Sequence, residues 1–210
     1  MGRYTGPLCK LCRREGVRLF LKGDKCNSQG CTLNKKSYPP GKITKFAKKP
    51  TEYALQLREK QKVKRYYGVY ERQFRKFFMM ASKHKGVTGE MLLQYLERRL
   101  DNIVYRAGFA QSRRAARQLI SHGHVNVNGK RVTIPSYVLK INDEVELSTK
   151  AKSFDFVVKS VEAAVNKVLP SWIEVDNSAL KVKIVSIPNR LEMNLDIEVN
   201  EQLIVELYSK

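Results

Sequence analysis

Four cysteines fall within residues 9–31 and none follows them: Cys9, Cys12, Cys26 and Cys31, spaced C-x2-C, thirteen residues, C-x4-C. Two close pairs joined by a short spacer are what a tetrahedral zinc site requires: each pair grips the ion from a tight turn, and the spacer returns the chain. The apolar residues around them, mainly Leu8, Leu11, Val17, Leu19, Phe20 and Leu21, are too few for a core, so metal binding would supply folding energy. Four thiolates leave no open position for water, which points to one structural zinc ion rather than a catalytic one. Four free cysteines or an iron–sulfur cluster are the alternatives, and the basic setting gives no particular support for a cluster. The opening Met-Gly-Arg-Tyr-Thr-Gly-Pro lacks the apolar stretch of a secretory signal. No apolar run approaches the roughly 20 residues of a membrane span. A cytosolic location without membrane contact is expected, and thiols there stay reduced, which favours a metal site over disulfides.

The chain of 210 residues carries a net charge of +20 and 42% hydrophobic residues, enough to build cores in one large or two small domains. The charge is graded: +11 in residues 1–50, +7 in 51–100, +4 in 101–150 and −2 in the last sixty. A solvated surface needs only about 2–8 charges for solubility. A surplus this large suits a polyanion, with binding that weakens as salt rises.

Lys10, Arg13, Arg14, Arg18, Lys22 and Lys25 lie among the cysteines. Residues 32–50 hold Pro39, Pro40, Gly41 and Pro50, which break regular structure, and Lys35, Lys36, Lys42, Lys45, Lys48 and Lys49 without acidic partners. This segment reads as an extended arm that orders on RNA, with a flexible linker as the plainer alternative. Thr51 can cap a helix running to Tyr66, with Gly68 as its stop. On it Arg58, Lys62 and Arg65 share one face, and three cations on one stripe call for an anionic cover such as phosphate. From Glu71 to Lys83, Phe74, Phe77, Phe78 and Ala81 form a packing stripe, with Arg72, Lys76 and Lys83 on the other side. Thr88 opens a third helix whose stripe of Leu92, Leu93, Leu96, Leu100, Ile103 and Val104 runs towards Gly108.

Residues 111–129 read Gln-Ser-Arg-Arg-Ala-Ala-Arg-Gln-Leu-Ile-Ser-His-Gly-His-Val-Asn-Val-Asn-Gly. Ser112 is a ready N-cap. Arg113, Arg114, Arg117 and Gln118 fill one arc of the helix, and Ala115, Ala116, Leu119 and Ile120 the opposite arc. One face would pack while the other presents three guanidiniums, whose planar forks suit phosphate. Gly123 ends the helix. Asn128-Gly129 is the strongest short hairpin signal, placing Val125, Val127, Val132 and Ile134 on the core face, Asn126 and Arg131 on the other, and Lys130 at the tip. Asp143 to Leu147 reads as a further strand. His84 stands alone, and His122 and His124 flank a turn with no partner for metal or base chemistry. Phe154, Val157, Val158, Val161, Val165 and Val168 make an amphipathic helix stopped by Pro170. Trp172, Val182, Ile184 and Val185 suggest strand and loop, and Val199 to Tyr208 a short closing element.

Arg99-Leu-Asp-Asn102, Ser112-Arg-Arg114, Ala116-Arg-Gln-Leu119, His122-Gly-His124 and Val127-Asn-Gly-Lys130 resemble the small RNA-binding module of the small ribosomal subunit protein four family. That module also occurs in some RNA-modifying enzymes and a tRNA synthetase. Arg3-Tyr-x-Gly-Pro7, the cysteine set with Cys12-Arg-Arg-Glu-Gly16, Tyr38-Pro-Pro-Gly41, Leu57-Arg-Glu-Lys-Gln-Lys62, Glu71-Arg-Gln-Phe74, Lys85-Gly-Val-Thr-Gly89 and Val199-Asn-Glu-Gln-Leu203 extend the likeness to the bacterial ribosomal protein, in its zinc-carrying four-cysteine form. The resemblance implies an α+β chain. Residues 1–50 would form a zinc knot and basic arm, and 51–97 a helical domain completed by 176–210. Residues 98–175 would form an inserted module of helix–turn–helix plus antiparallel sheet.

The candidate RNA contacts in the N-terminal segment are Arg3, Arg13, Arg14, Lys22, Lys45, Lys48 and Lys49. In the helical domain they are Arg58, Lys62, Arg65 and Arg72. In the module they are Ser112, Arg113, Arg114, Arg117, Gln118, His122, Asn126, Lys130 and Arg131. By resemblance the chain is a non-enzymatic constituent of the small subunit that binds its ribosomal RNA early, at a multi-helix junction, and nucleates assembly. Resemblance also places it beside proteins three and five, where messenger RNA enters, with an influence on decoding accuracy. An RNA-modifying enzyme would need a catalytic domain, yet no phosphate-binding Gly-rich loop or nucleophile–base pair is present. A zinc-finger transcription factor would need the histidine-bearing finger pattern, which is missing.

Overall fold

A computed structural model describes residues 4–42, 49–164 and 168–209. Two compact units emerge, Met1–Leu92 with Leu195–Lys210, and Leu93–Asn194. The first unit opens with α1 (Leu8–Glu15), a 3-10 turn at Gly23–Cys26 and α2 (Thr32–Lys35). Of the apolar residues around the cysteines only Leu19 is buried, which matches the meagre core expected of this segment. In α3 (Glu52–Tyr66) the Thr51 hydroxyl accepts from the Ala54 amide at 3.2 Å, satisfying one of the amides a helix start leaves open. In α4 (Glu71–Ala81) Phe74, Phe77, Phe78 and Ala81 are all buried, as their spacing predicts.

The leucine stripe from residue 92 to 104 is carried by two helices, not one: α5 (Thr88–Glu97) and α6 (Leu100–Arg106). Arg99 between them is extended, with φ −67° and ψ 139°, and bridges to Val138. Leu100 N–H donates to Tyr137 O at 2.8 Å, Asp101 N–H to Pro135 O at 3.1 Å, and Leu139 N–H to Arg98 O at 2.9 Å. Loop 135–139 therefore takes backbone groups that a continuous helix would have used. The break was invisible to periodicity because both helices bury their leucines.

In the second unit α6 is followed by α7 (Arg113–Ser121), β1 (Val125–Val127), β2 (Lys130–Arg131), β3 (Glu144–Leu147), α8 (Thr149–Lys152), α9 (Asp155–Ala164), β4 (Ile173–Asp176) and β5 (Lys181–Ile184). The strands form one antiparallel sheet in the order β2-β1-β3-β5-β4. Val127, Val145, Val182 and Val175 line up across β1, β3, β5 and β4, so one face of the sheet closes over the core with Trp172, Leu119 and Ile120. Asn128 and Gly129 both have positive φ, 50° and 74°, as a tight I′ turn demands. The Asn128 side chain also accepts from Glu144 N–H at 2.9 Å, pinning the hairpin to β3.

Three expectations are corrected here. Strand β2 ends at Arg131, so Ile134 leaves the sheet and is 57% exposed. In α9 only Val157 and Ser160 are buried, Val158 is exposed, and Val168 lies beyond it at 90% exposure; Val165 lies outside the described residues. The second unit also runs past 175 to Asn194, because β5 pairs between β3 and β4.

The chain then returns to the first unit as α10 (Glu201–Ser209), which packs on α3. Glu206 accepts from Gln56 at 3.0 Å, and Asn200 N–H donates to Glu59 at 2.9 Å. The Tyr208 ring stacks on Phe78 at 4.5 Å while its hydroxyl donates to Glu71 at 2.8 Å. No helix among the described residues is long and apolar enough to cross a membrane.

Glu71 also receives Lys60 and Lys64 Nζ, each at 2.8 Å. Burial pushes its carboxyl up, but these three donors outweigh burial and hold it down at about 2. A depressed folded value means the stabilisation is present above the ordinary 4.5 and is lost as pH falls from there towards about 2. Urea unfolding across that window is expected to show the stability gap between the parent chain and Glu71→Gln closing as pH falls. A constant gap would refute the clamp.

Candidate nucleic-acid interface and metal site

Helix α7 was expected to present Arg113, Arg114 and Arg117 to solvent, and the structure corrects this. Arg113 is 7% exposed. Its Nε donates to Asn102 Oδ1 at 2.7 Å, and its guanidinium lies 4.5 Å from the Tyr105 ring centre. Arg117 donates to Asp101 Oδ2 through Nε at 2.9 Å and Nη2 at 2.5 Å. Arg99 grips the same carboxylate from the other side at 2.9 and 2.7 Å. Burial pushes the Asp101 carboxyl up, and Arg99 and Arg117 more than reverse this, holding it below the usual range. Asn102 Nδ2 donates to Glu97 Oε2 at 2.9 Å, and Arg106 closes on both Glu97 oxygens at 3.1 Å. The fork that suits a phosphate suits a carboxylate equally well. No local pattern marks this pairing: Asp101 and Asn102 stand on α6, 16 and 11 positions before Arg117 and Arg113, so only the packing of the two helices brings them together.

What α7 turns outward is Arg114, Gln118 and, at its cap, His122, all exposed and spaced i, i+4, i+8 along one stripe. Ser112 is buried and caps α7 through the Ala115 amide at 3.3 Å. Lys130 and Arg131 are exposed in the adjoining hairpin. Arg131 Nη2 donates to His122 O at 3.3 Å, joining hairpin to helix end. Asn126 is half-buried, with Nδ2 3.4 Å from Glu146 Oε1. Burial, followed by the proximity of His122, Lys150 and Arg131, holds the His124 imidazole below its ordinary value, while its ring meets Phe154 edge-on at 5.0 Å.

On α3 the three-cation stripe finds carboxylates rather than needing phosphate. Arg58 at 3.3 Å and Arg65 pair with Glu15, whose side chain is 1% exposed, and Lys62 pairs with Glu59 at 2.8 Å. Burial pushes the Glu15 carboxyl up against the pull of Arg65 and Arg58. Arg13 turns back onto the arm, donating to Tyr38 O at 2.9 Å and lying 4.7 Å from the Tyr38 ring. Arg14, Lys22, Lys49 and Arg72 are exposed. Arg75, which sequence reasoning missed, is exposed beside Arg72 and Lys76, and the i, i+3, i+4 spacing would have found it. Arg3, Lys45 and Lys48 lie outside the described residues.

Cys9, Cys12, Cys26 and Cys31 are free thiols that together line one cavity of about 20 Å³, room for a single atom-sized occupant. Leu8, Leu21 and Leu33 close its apolar side. Burial, reinforced by the neighbouring thiols, pushes Cys12 and Cys26 up, while a hydrogen bond from Thr32 draws Cys9 down. A divalent cation would relieve the mutual repulsion of such thiolates, and the donor set fits zinc in number and kind. Among the described residues no three or more Cys, His, Asp or Glu side chains converge closely enough to hold an ion as they stand.

Residues 3–97 match the family model described as ribosomal protein S4/S9 N-terminal domain, and residues 98–145 match the S4 domain model. Small ribosomal subunit protein uS4A of Symbiobacterium thermophilum is 54% identical over 210 residues, covering all of both chains. The uS4 proteins of Dictyoglomus turgidum and Thermus thermophilus are 55% identical over 210 and 49% identical over 211 residues, again end to end.

Replacing Asp101 by Asn strands two guanidiniums and is expected to cost about 3–5 kcal/mol in urea unfolding, whereas Arg114→Ala should stay within about 0.5 kcal/mol. Equal costs would contradict the division of α7 into a buried and a presented arginine set.

Proposed function

Because the chain belongs to the bacterial uS4 family of small ribosomal subunit proteins, we infer that it is a structural, non-enzymatic constituent of the ribosome's small subunit that holds ribosomal RNA. The observation that carries the residue-level reading is the continuous exposed run of Arg114, Gln118, His122, Arg131 and Lys130. Such a surface grips phosphate and reads backbone shape more than base sequence. The exposed Arg72, Arg75 and Lys76 of α4 supply a second basic face. Two basic faces on one chain support binding where several RNA helices meet, with nucleation of subunit assembly as the consequence. We extend the reading to messenger RNA, with the lysines of residues 42–49 as contacts near its point of entry and proteins five and three as neighbours.

We also propose that Cys9, Cys12, Cys26 and Cys31 bind one structural zinc ion. Supporting it are the shared cavity, the reduced thiols and the scant core of this segment. Bound there, the ion would neutralise the thiolates and tie α1 to α2; no step of chemistry is assigned to it.

Purified protein is expected to bind small-subunit ribosomal RNA in the presence of excess unrelated RNA. Replacing Arg114, Lys130 and Arg131 together with alanine should lower the slope of log affinity against log salt by about two to three. An unchanged slope would remove these residues from the interface. Chelation of the purified protein should speed amide exchange in residues 4–35 and leave the hairpin at Asn128-Gly129 protected. Identical exchange before and after chelation, with no zinc released, would reject the metal site.

A further inference from the structure

We propose that Gly123 is a positioning residue: its bare backbone is the seat that aims the Arg131 guanidinium onto the RNA surface of α7. The proposal rests on the reading of Arg131 as an RNA contact. Gly123 follows the helix with φ +73°. A side chain at this position would begin where the Arg131 guanidinium lies, its Cβ overlapping Nε, Nη2 and Cζ. Arg131 Nη2 donates to His122 O at 3.3 Å, and the residue is held in register opposite Asn126. The guanidinium thus rests on the carbonyl end of α7, where the helix dipole favours a cation.

The three atoms nearest to that Cβ all belong to the far end of one flexible side chain. Filling position 123 would evict Arg131 and scarcely disturb the core. What would be lost is orientation. An arginine held against glycine meets a phosphate already placed, whereas a loose one must be ordered on binding, a difference of about two- to tenfold in affinity.

The positive φ gives Gly123 a second reason to be glycine, and Gly123→Asn separates the two. Asparagine accepts the left-handed conformation but still carries a Cβ. If the glycine serves only the backbone, this variant binds RNA normally. If it is a seat, binding to small-subunit ribosomal RNA falls about two- to tenfold and the salt slope drops towards that of Arg131→Ala, itself lower by about one. The double variant then binds no more weakly than Arg131→Ala alone. Normal binding by Gly123→Asn, or losses that multiply in the double variant, would overturn the seat. If Arg131→Ala itself changes neither affinity nor slope, the underlying assignment of Arg131 to the RNA surface is what has failed. Relaxation of the arginine Nε–H groups in the unmutated protein gives a test independent of folding in any variant. Arg131 should be restricted relative to Arg114, and equal mobility would refute the proposal.

Discussion

The second unit is organised around one buried carboxylate. Asp101 is 1% exposed and receives two guanidiniums, Arg99 and Arg117. A buried carboxylate without partners would cost several kcal/mol, so both arginines must stay turned inward. Arg113, one turn before Arg117, is drawn to Asn102 in the same way. These contacts set the rotation of α7 about its axis, and that rotation makes Arg114, Gln118 and His122 the outward stripe. Asp101 stands in the first turn of α6, where the helix dipole also favours a negative charge. The helix break at Arg99 belongs to the same arrangement, since an extended Arg99 can reach back to the residue two positions on.

Internal pairing reshapes what the charge of +20 means. Glu15 takes Arg58 and Arg65, Glu59 takes Lys62, and Glu71 takes Lys60 and Lys64. Much of the cationic surface that α3 promises is therefore engaged within the first unit. Exposed cations remain along residues 10–42, on α4, on the outer stripe of α7 and on the hairpin. The charge surplus identifies a polyanion as the class of partner. Which cations meet it depends on where the scarcer carboxylates settle.

Local rules with a short reach were legible in advance. The Thr51 and Ser112 caps, the aromatic stripe of α4 and the Asn128-Gly129 turn all form as their residues dictate. Each depends on contacts within a few positions, where residue type and period suffice. The division of α5 from α6 was not legible, because loop 135–139 competes for the backbone at Arg99 from some forty positions away. Ile134 and Val158 carry apolar side chains at expected core positions and lie exposed, because strand β2 stops early and α9 buries a narrower face.

The sequence by itself determined the class of the molecule: basic, α+β, built on capped amphipathic helices and a tight hairpin, with four cysteines gathered at one end. Those traits follow from composition and from interactions between near neighbours along the chain. Only the tertiary structure decided that Arg113 and Arg117 face a buried acid while Arg114 faces outward, that β5 enters the sheet between β3 and β4, and that Arg131 lies against Gly123. Helical period places three arginines on one arc, but an arc has two edges. Which edge is buried is settled by the desolvation of an acid on another helix, a free energy no local pattern contains.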